Sequence, residues 1–143
     1  MKTCDELTDL FRERGLRVTP QRQVIFRLLH GDDAHPTVEA LYERAQTEMP
    51  TMSLKTVYQT VHDLEALGEV DVLDLGTGSV RVDPNVEREH HHLVCTSCGR
   101  VRDLPLDFDG LQVPGRLRRD FRVDAVQVIF RGRCADCLAA DDS

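Results

Sequence analysis

The chain has 143 residues, 41% of them hydrophobic and 30% charged, with a formal net charge of −7. That balance describes a globular chain and excludes a disordered one, and no apolar run nears the roughly 18 residues of a membrane span. An acidic chain cannot hold a phosphate backbone by bulk charge, so nucleic-acid binding needs a local basic patch. Arg12, Arg14, Arg17, Arg22 and Arg27 are bunched into one.

The first segment, MKTCDELTDLFRER, is charged and lacks the apolar core of a signal peptide. A cytoplasmic protein with reduced thiols is expected. Residues 4–14 read as a helix ending at Gly15. A second helix starts in VTPQRQVIFRLLHG, with Thr19 as N-cap and Pro20 at the first helical position, and stops at Gly31. Thr37 caps a third helix, which Met49 and Pro50 break. Ser53 caps a fourth, with Gly68 just past its end.

In the fourth helix Leu54, Val57, Val61, Leu64 and Leu67 recur at helical spacing as a core stripe. Lys55, Tyr58, Gln59 and His62 share another face. The third and fourth helices, joined by a short turn, resemble a helix-turn-helix with residues 54–67 as the recognition helix. EVDVLDL, GTGS and VRVD then alternate around a glycine-rich turn, the pattern of a β-hairpin, here a wing. On this reading Tyr58 and Gln59 reach bases or sugar of double-stranded DNA, and Arg17, Arg22 and Lys55 lie near phosphates. The plainer alternative is a helical bundle with a hairpin, since every surface helix has a polar face.

The second half carries the metal chemistry. HHLVC and GRVRDL read as two strands around the knuckle CTSCG. GLQVPGRLRRD reads as a helix weakened by Pro114 and Gly115, and FRVDAVQVIFRG as a strand leading into CADC. Cys95, Cys98, Cys134 and Cys137 form two Cys-x-x-Cys pairs, and Cys4 is left over. In a reducing compartment such pairs mark a tetrahedral Zn²⁺ site, with a redox dithiol as the alternative. The histidine run ahead of Cys95 is then available for a second site. On a strand His90 and His92 face one way and His91 the other.

GLRVTPQR, AHPT, TVYQTVHDLEALG, RVD, HHHLVCTSCGRVRDL and CADC occur in that order from about Leu16 to Cys137. With these motifs the chain resembles the ferric uptake regulator family of bacterial metal-dependent repressors. The resemblance implies an α+β protein: a winged helix-turn-helix domain over residues 1–82, a hinge over 83–90, and a small α/β dimerisation and metal-binding domain over 91–143. It implies structural zinc on the four paired cysteines and a homodimer. It also implies a regulatory metal on His35, Asp83, His90, His92 and Asp103, a nitrogen and oxygen set suited to Fe²⁺ or Mn²⁺. Two recognition helices related by a two-fold axis would read a palindromic operator.

An aspartate at position 103 resembles the peroxide-responsive branch, in which the positions of His35 and His90 take the oxidative damage. A repressor sensing iron, manganese or zinc levels is the alternative within the family, and a structural zinc-ribbon DNA binder without sensing is another. A metallo-hydrolase using His90, His92 and Asp103 is less favoured, because no His-Glu-x-x-His helix is present. The expectation is a protein that is not an enzyme.

Overall fold

The computed structural model describes residues 1–143. The chain divides into two compact units, Met1–Arg88 and Glu89–Ser143, and the division falls within the stretch 83–90.

The first unit has four helices and a hairpin: α1 (Cys4–Glu13), α2 (Pro20–Leu29), α3 (Val38–Glu48), α4 (Leu54–Ala66), β1 (Asp71–Leu73) and β2 (Arg81–Asp83). The starts of α2, α3 and α4 are written in their caps. Thr19, Thr37 and Ser53 each accept the otherwise orphaned N–H of the third helical residue, those of Arg22, Ala40 and Thr56. Phe11, Ile25, Phe26, Leu29, Leu41, Val57 and Leu64 bury completely into one core, where the Phe11 and Phe26 rings meet edge to face at 4.8 Å.

The stripe predicted for α4 holds except at its first position. Leu54 is 38% exposed, while Thr60 is buried and its hydroxyl donates to the Thr56 carbonyl at 2.7 Å. The position after the cap is not exposed by rule, since Val38 at the same place in α3 is buried; the way α4 packs turns Leu54 outward. A threonine can replace an aliphatic residue inside the helix once its hydroxyl bonds back onto the previous turn. β1 and β2 pair antiparallel with Val72 opposite Val82, and the turn between them carries Gly76 and Gly78 at positive φ.

The second unit is a three-stranded sheet in the order β4-β3-β5, made of β3 (His91–Cys95), β4 (Val101–Leu104) and β5 (Ile129–Gly132). β4 runs antiparallel to β3 and β5 runs parallel to it. The long strand expected over FRVDAVQVIFRG is a correction: only its last residues join the ladder. β3 meets β5 from His92↔Ile129 onward, so the alternating residues before it have no partner strand in this chain, and Phe121, Val123 and Val126 stay exposed. The helix expected around GLQVPGRLRRD shrinks to the single turn α5 (Gly115–Arg118), which follows Pro114. A helix not expected from sequence, α6 (Ala135–Asp141), starts at the second knuckle with Cys134 at its N-cap position.

Candidate metal centres

The two Cys-x-x-Cys pairs converge. β3 ends at Cys95, β5 runs beside it, and Cys95↔Gly132 register brings Cys134 and Cys137 alongside Cys95 and Cys98. The four sulfurs lie within 4.8 Å of one another, with Cys95–Cys137 and Cys98–Cys134 both at 3.8 Å. A tetrahedron with Zn–S bonds of about 2.3 Å has an edge of about 3.8 Å. No pair approaches the bonding distance of a disulfide, about 2.05 Å.

The protonation chemistry agrees. The Cys134 backbone N–H donates to Cys95 Sγ at 3.3 Å, and with the Cys98 N–H it pulls the Cys95 thiol down to about 6. The Cys134 thiol is lowered by the backbone N–H of Cys137. The Cys137 thiol is pushed up to about 12 by its hydrogen bonds to Cys134 and Cys98. Four thiols this close cannot all ionise without a cation among them, and a divalent ion provides it.

The other candidate ligands form one cluster in each unit. In the first, β2 carries Asp83 at its end. The loop before α3 is pinned to that strand by the Val82 N–H donating to the Pro36 carbonyl at 2.9 Å, and by Arg81 donating to the His35 carbonyl at 3.2 Å. This seats His35 Nε2 3.4 Å from Asp83 Oδ2 with both side chains buried. His35 is also the one non-glycine residue at positive φ, 50°. A left-handed backbone at a non-glycine residue costs free energy and persists where the surroundings dictate it, often at a functional site.

In the second unit, His92 lies directly opposite Asp103 across the β3–β4 pair. His90 Nε2 and His92 Nε2 are 3.4 Å and 3.7 Å from the same oxygen, Asp103 Oδ1, and the two rings are 4.8 Å apart. His91 turns the other way, as strand alternation requires. Its Nδ1 accepts the Val128 N–H at 3.0 Å and its ring packs on Phe108 at 4.7 Å. Both clusters offer buried imidazole nitrogen and carboxylate oxygen without sulfur, the donor chemistry of Fe²⁺ or Mn²⁺. Reading the residues one by one singles out neither His35 nor Asp83, because a loop histidine and a strand-end aspartate are ordinary surface residues; only the pinned loop joins them.

On α4 the side chains of Lys55, Tyr58, Gln59 and His62 are all exposed on one face. Arg17, Arg22, Lys55 and Gln59 line one recess of about 260 Å³. Arg22 is the least exposed of them. Its guanidinium pairs with Asp63 at 2.8 Å and lies over the Phe11 ring, 5.4 Å from the centroid. Tyr58 Oη donates to Glu39 Oε1 at 2.6 Å, which holds the Glu39 carboxyl below its ordinary value and raises the Tyr58 phenol. Asp63 and Glu39 have no signal in the sequence beyond helical spacing.

The family model of the ferric uptake regulators matches residues 13–127. The chain belongs to the ferric uptake regulator family. Among curated members, the peroxide-responsive repressor PerR of Staphylococcus saprophyticus subsp. saprophyticus is 31% identical over 134 residues, which cover 93% of this chain and 89% of the relative. Among solved structures, a zinc-bound manganese uptake regulator is 31% identical, covers 93% of this chain and 99% of its own, and superposes with a TM-score of 0.69. PerR from Streptococcus pyogenes is 26% identical over 96% of this chain and 94% of its own, with a TM-score of 0.55. Family membership fits the α+β architecture and the Cys4 cluster described above. In this family member no helix is long and apolar enough to cross a membrane.

Proposed function

We propose that the protein is a homodimeric, metal-dependent transcriptional repressor that binds double-stranded DNA and senses peroxide. The observation that carries this reading is the pairing of His35 with Asp83 in one unit, and of His90 and His92 with Asp103 in the other. In this reading the two clusters close on one Fe²⁺ or Mn²⁺ ion, which fixes the unit bearing α4 relative to the sheet unit. The ion can shift that equilibrium only by as much as it prefers the closed arrangement. Zn²⁺ on Cys95, Cys98, Cys134 and Cys137 is structural.

The sheet unit supplies the dimer contact in this reading. It exposes Leu106, Leu111, Leu117, Phe121 and Val126, apolar side chains that a second copy would cover. The first unit is the DNA reader, with α4 as recognition helix and the β1–β2 hairpin as wing. A two-fold dimer then meets a palindromic operator in successive major grooves, with Tyr58 and Gln59 toward the bases and Arg17 and Lys55 toward phosphates; the phosphate role expected for Arg22 gives way to its ion pair with Asp63. Replacing Lys55 or Arg17 by alanine is expected to weaken binding to all sequences alike and to reduce the slope of log K against log salt by about one. An unchanged slope in a salt titration contradicts the phosphate contact.

The likeness to a manganese uptake regulator at the same identity favours a second reading, a repressor that reports metal level and not peroxide. The response of the iron-loaded protein to peroxide separates the two.

A further inference from the structure

Asp63 belongs to none of the metal clusters and faces the proposed DNA surface, where a carboxylate is out of place. Its side chain is 12% exposed, and it is fixed from below. Arg22 Nη2 lies 2.8 Å from Asp63 Oδ2, and Arg22 in turn rests on Phe11 of α1. The other carboxylate oxygen, Oδ1, accepts the amide of Gln59 from Nε2 at 3.0 Å, one helical turn earlier. Gln59 is therefore anchored to a rigid support that runs through α4, α2 and α1. An ordinary solvent-exposed i,i+4 pair has no such backing.

We propose that Asp63 is a positioning residue for base recognition, and that by fixing the orientation of the Gln59 amide it makes the protein read an adenine. The inference rests on α4 entering the major groove. A carboxylate accepts hydrogen bonds and cannot donate them, so only the NH₂ end of Gln59 can face Asp63. The flipped amide would set its oxygen against the carboxylate. One Nε2 hydrogen is used by Asp63, and the outward edge keeps Oε1 as acceptor and the second Nε2 hydrogen as donor. That pair complements N6–H and N7 of adenine. The Arg22 guanidinium neutralises the carboxylate, which lets an aspartate sit near phosphates.

The variant D63N tests this without removing the side chain. Its single oxygen is drawn to the Arg22 cation, so its NH₂ turns to Gln59 and the Gln59 amide reverses: Oε1 accepts from residue 63, and both Nε2 hydrogens are left free to donate to N7 and O6 of guanine. The experiment is selection of duplexes from a randomised pool by the full-length, Mn²⁺-loaded protein, run in parallel for wild type, Q59A, D63N and the Q59A/D63N double variant, with thermal melts of each.

Wild type is expected to select a palindrome with an adenine at one symmetry-related position, and Q59A to lose it. D63N is expected to lose about tenfold in adenine preference there and to gain guanine, with other positions unchanged. The double variant should match Q59A. An adenine preference retained in D63N overturns the proposal. So does a loss spread evenly over all positions that follows a lowered melting temperature, since that marks support of the helix alone. If wild type selects no sequence, the DNA-binding reading itself fails and takes this inference with it.

Discussion

Cys95→Ser or Cys134→Ser is expected to strip the zinc and unfold Glu89–Ser143. The buried hydrophobic residues of that unit are Val94, Cys95 and Val101, whereas the first unit buries a cluster that runs from Met1 to Val82. So thin a core cannot offset the conformational entropy of the segment. The Cys4 cluster joins the end of β3 to the start of α6, two points distant in sequence, so the metal closes a long loop. Structural zinc contributes about 10–16 kcal/mol of apparent binding free energy in zinc-finger peptides, and where no site exists in the unfolded chain this is folding free energy. A serine hydroxyl does not replace a thiolate ligand. Zinc content, circular dichroism and sedimentation of the purified variants check the outcome: zinc lost, sheet signal lost and no dimer. A folded, dimeric variant without zinc contradicts it.

The second large effect expected under the proposed function is loss of DNA binding on oxidation of a histidine. Fe²⁺ bound by His35, Asp83, His90, His92 and Asp103 would catalyse reduction of hydrogen peroxide beside the imidazoles. In the net change one ring carbon gains one oxygen atom and two electrons leave the ring, while the second peroxide oxygen departs as water. His35 is fully buried, fixed at φ 50° and pinned by its loop to β2, so it cannot swing clear. An oxidised ring is a poorer ligand, and under the proposed function its loss would undo the metal-dependent DNA binding. Cys98 is the exposed thiol of the Cys4 cluster and offers a rival route, but zinc ligation suppresses thiolate reactivity. After a brief peroxide pulse, peptide mass spectrometry is expected to find one added oxygen on the peptide holding His35 or His90 in Fe²⁺-loaded protein and none in Mn²⁺-loaded protein. Release of DNA with oxidised cysteines alone marks a thiol sensor. Retention of DNA after the pulse marks a sensor of metal level.

The helices of the first unit were legible because their signals are local. Thr19 before Pro20, Thr37 and Ser53 act on donors three residues away, so the sequence alone places the starts of α2, α3 and α4. The zinc cluster was legible for a similar reason, since a two-residue spacer already aims two sulfurs at one point. What was not legible depends on partners distant in the chain. The alternation of Phe121–Val128 mimics a strand, yet strand formation needs a ladder partner, and β3 offers one only from Ile129 onward. Leu54 fits the apolar period of α4 but stays outside the core, whereas Val38 at the same position of α3 is buried, a difference set by helix packing and not by period. His35 was reached through family motifs because its position depends on the Pro36–Val82 hydrogen bond, a tertiary fact. In the sequence Asp63 is one polar residue among many on a surface helix; what distinguishes it is that Arg22 of α2 and Gln59 both bond to it.

Under the proposed function a single ion on the histidine and aspartate ligands controls DNA binding. That control is tested most directly by fluorescence anisotropy of a labelled operator duplex, obtained by selection, with protein that keeps its zinc but has been stripped of the second metal. Adding Mn²⁺ is expected to tighten operator binding of wild type by about 5–150-fold, the usual range of an allosteric coupling, and operator should tighten Mn²⁺ binding by the same factor. His35→Ala, which lies in the helical unit, and His92→Ala, which lies in the sheet unit, should each abolish the Mn²⁺ response while leaving weak, salt-sensitive binding in place. Operator affinity that is the same with and without Mn²⁺, or a Mn²⁺ response that survives both substitutions, contradicts the account.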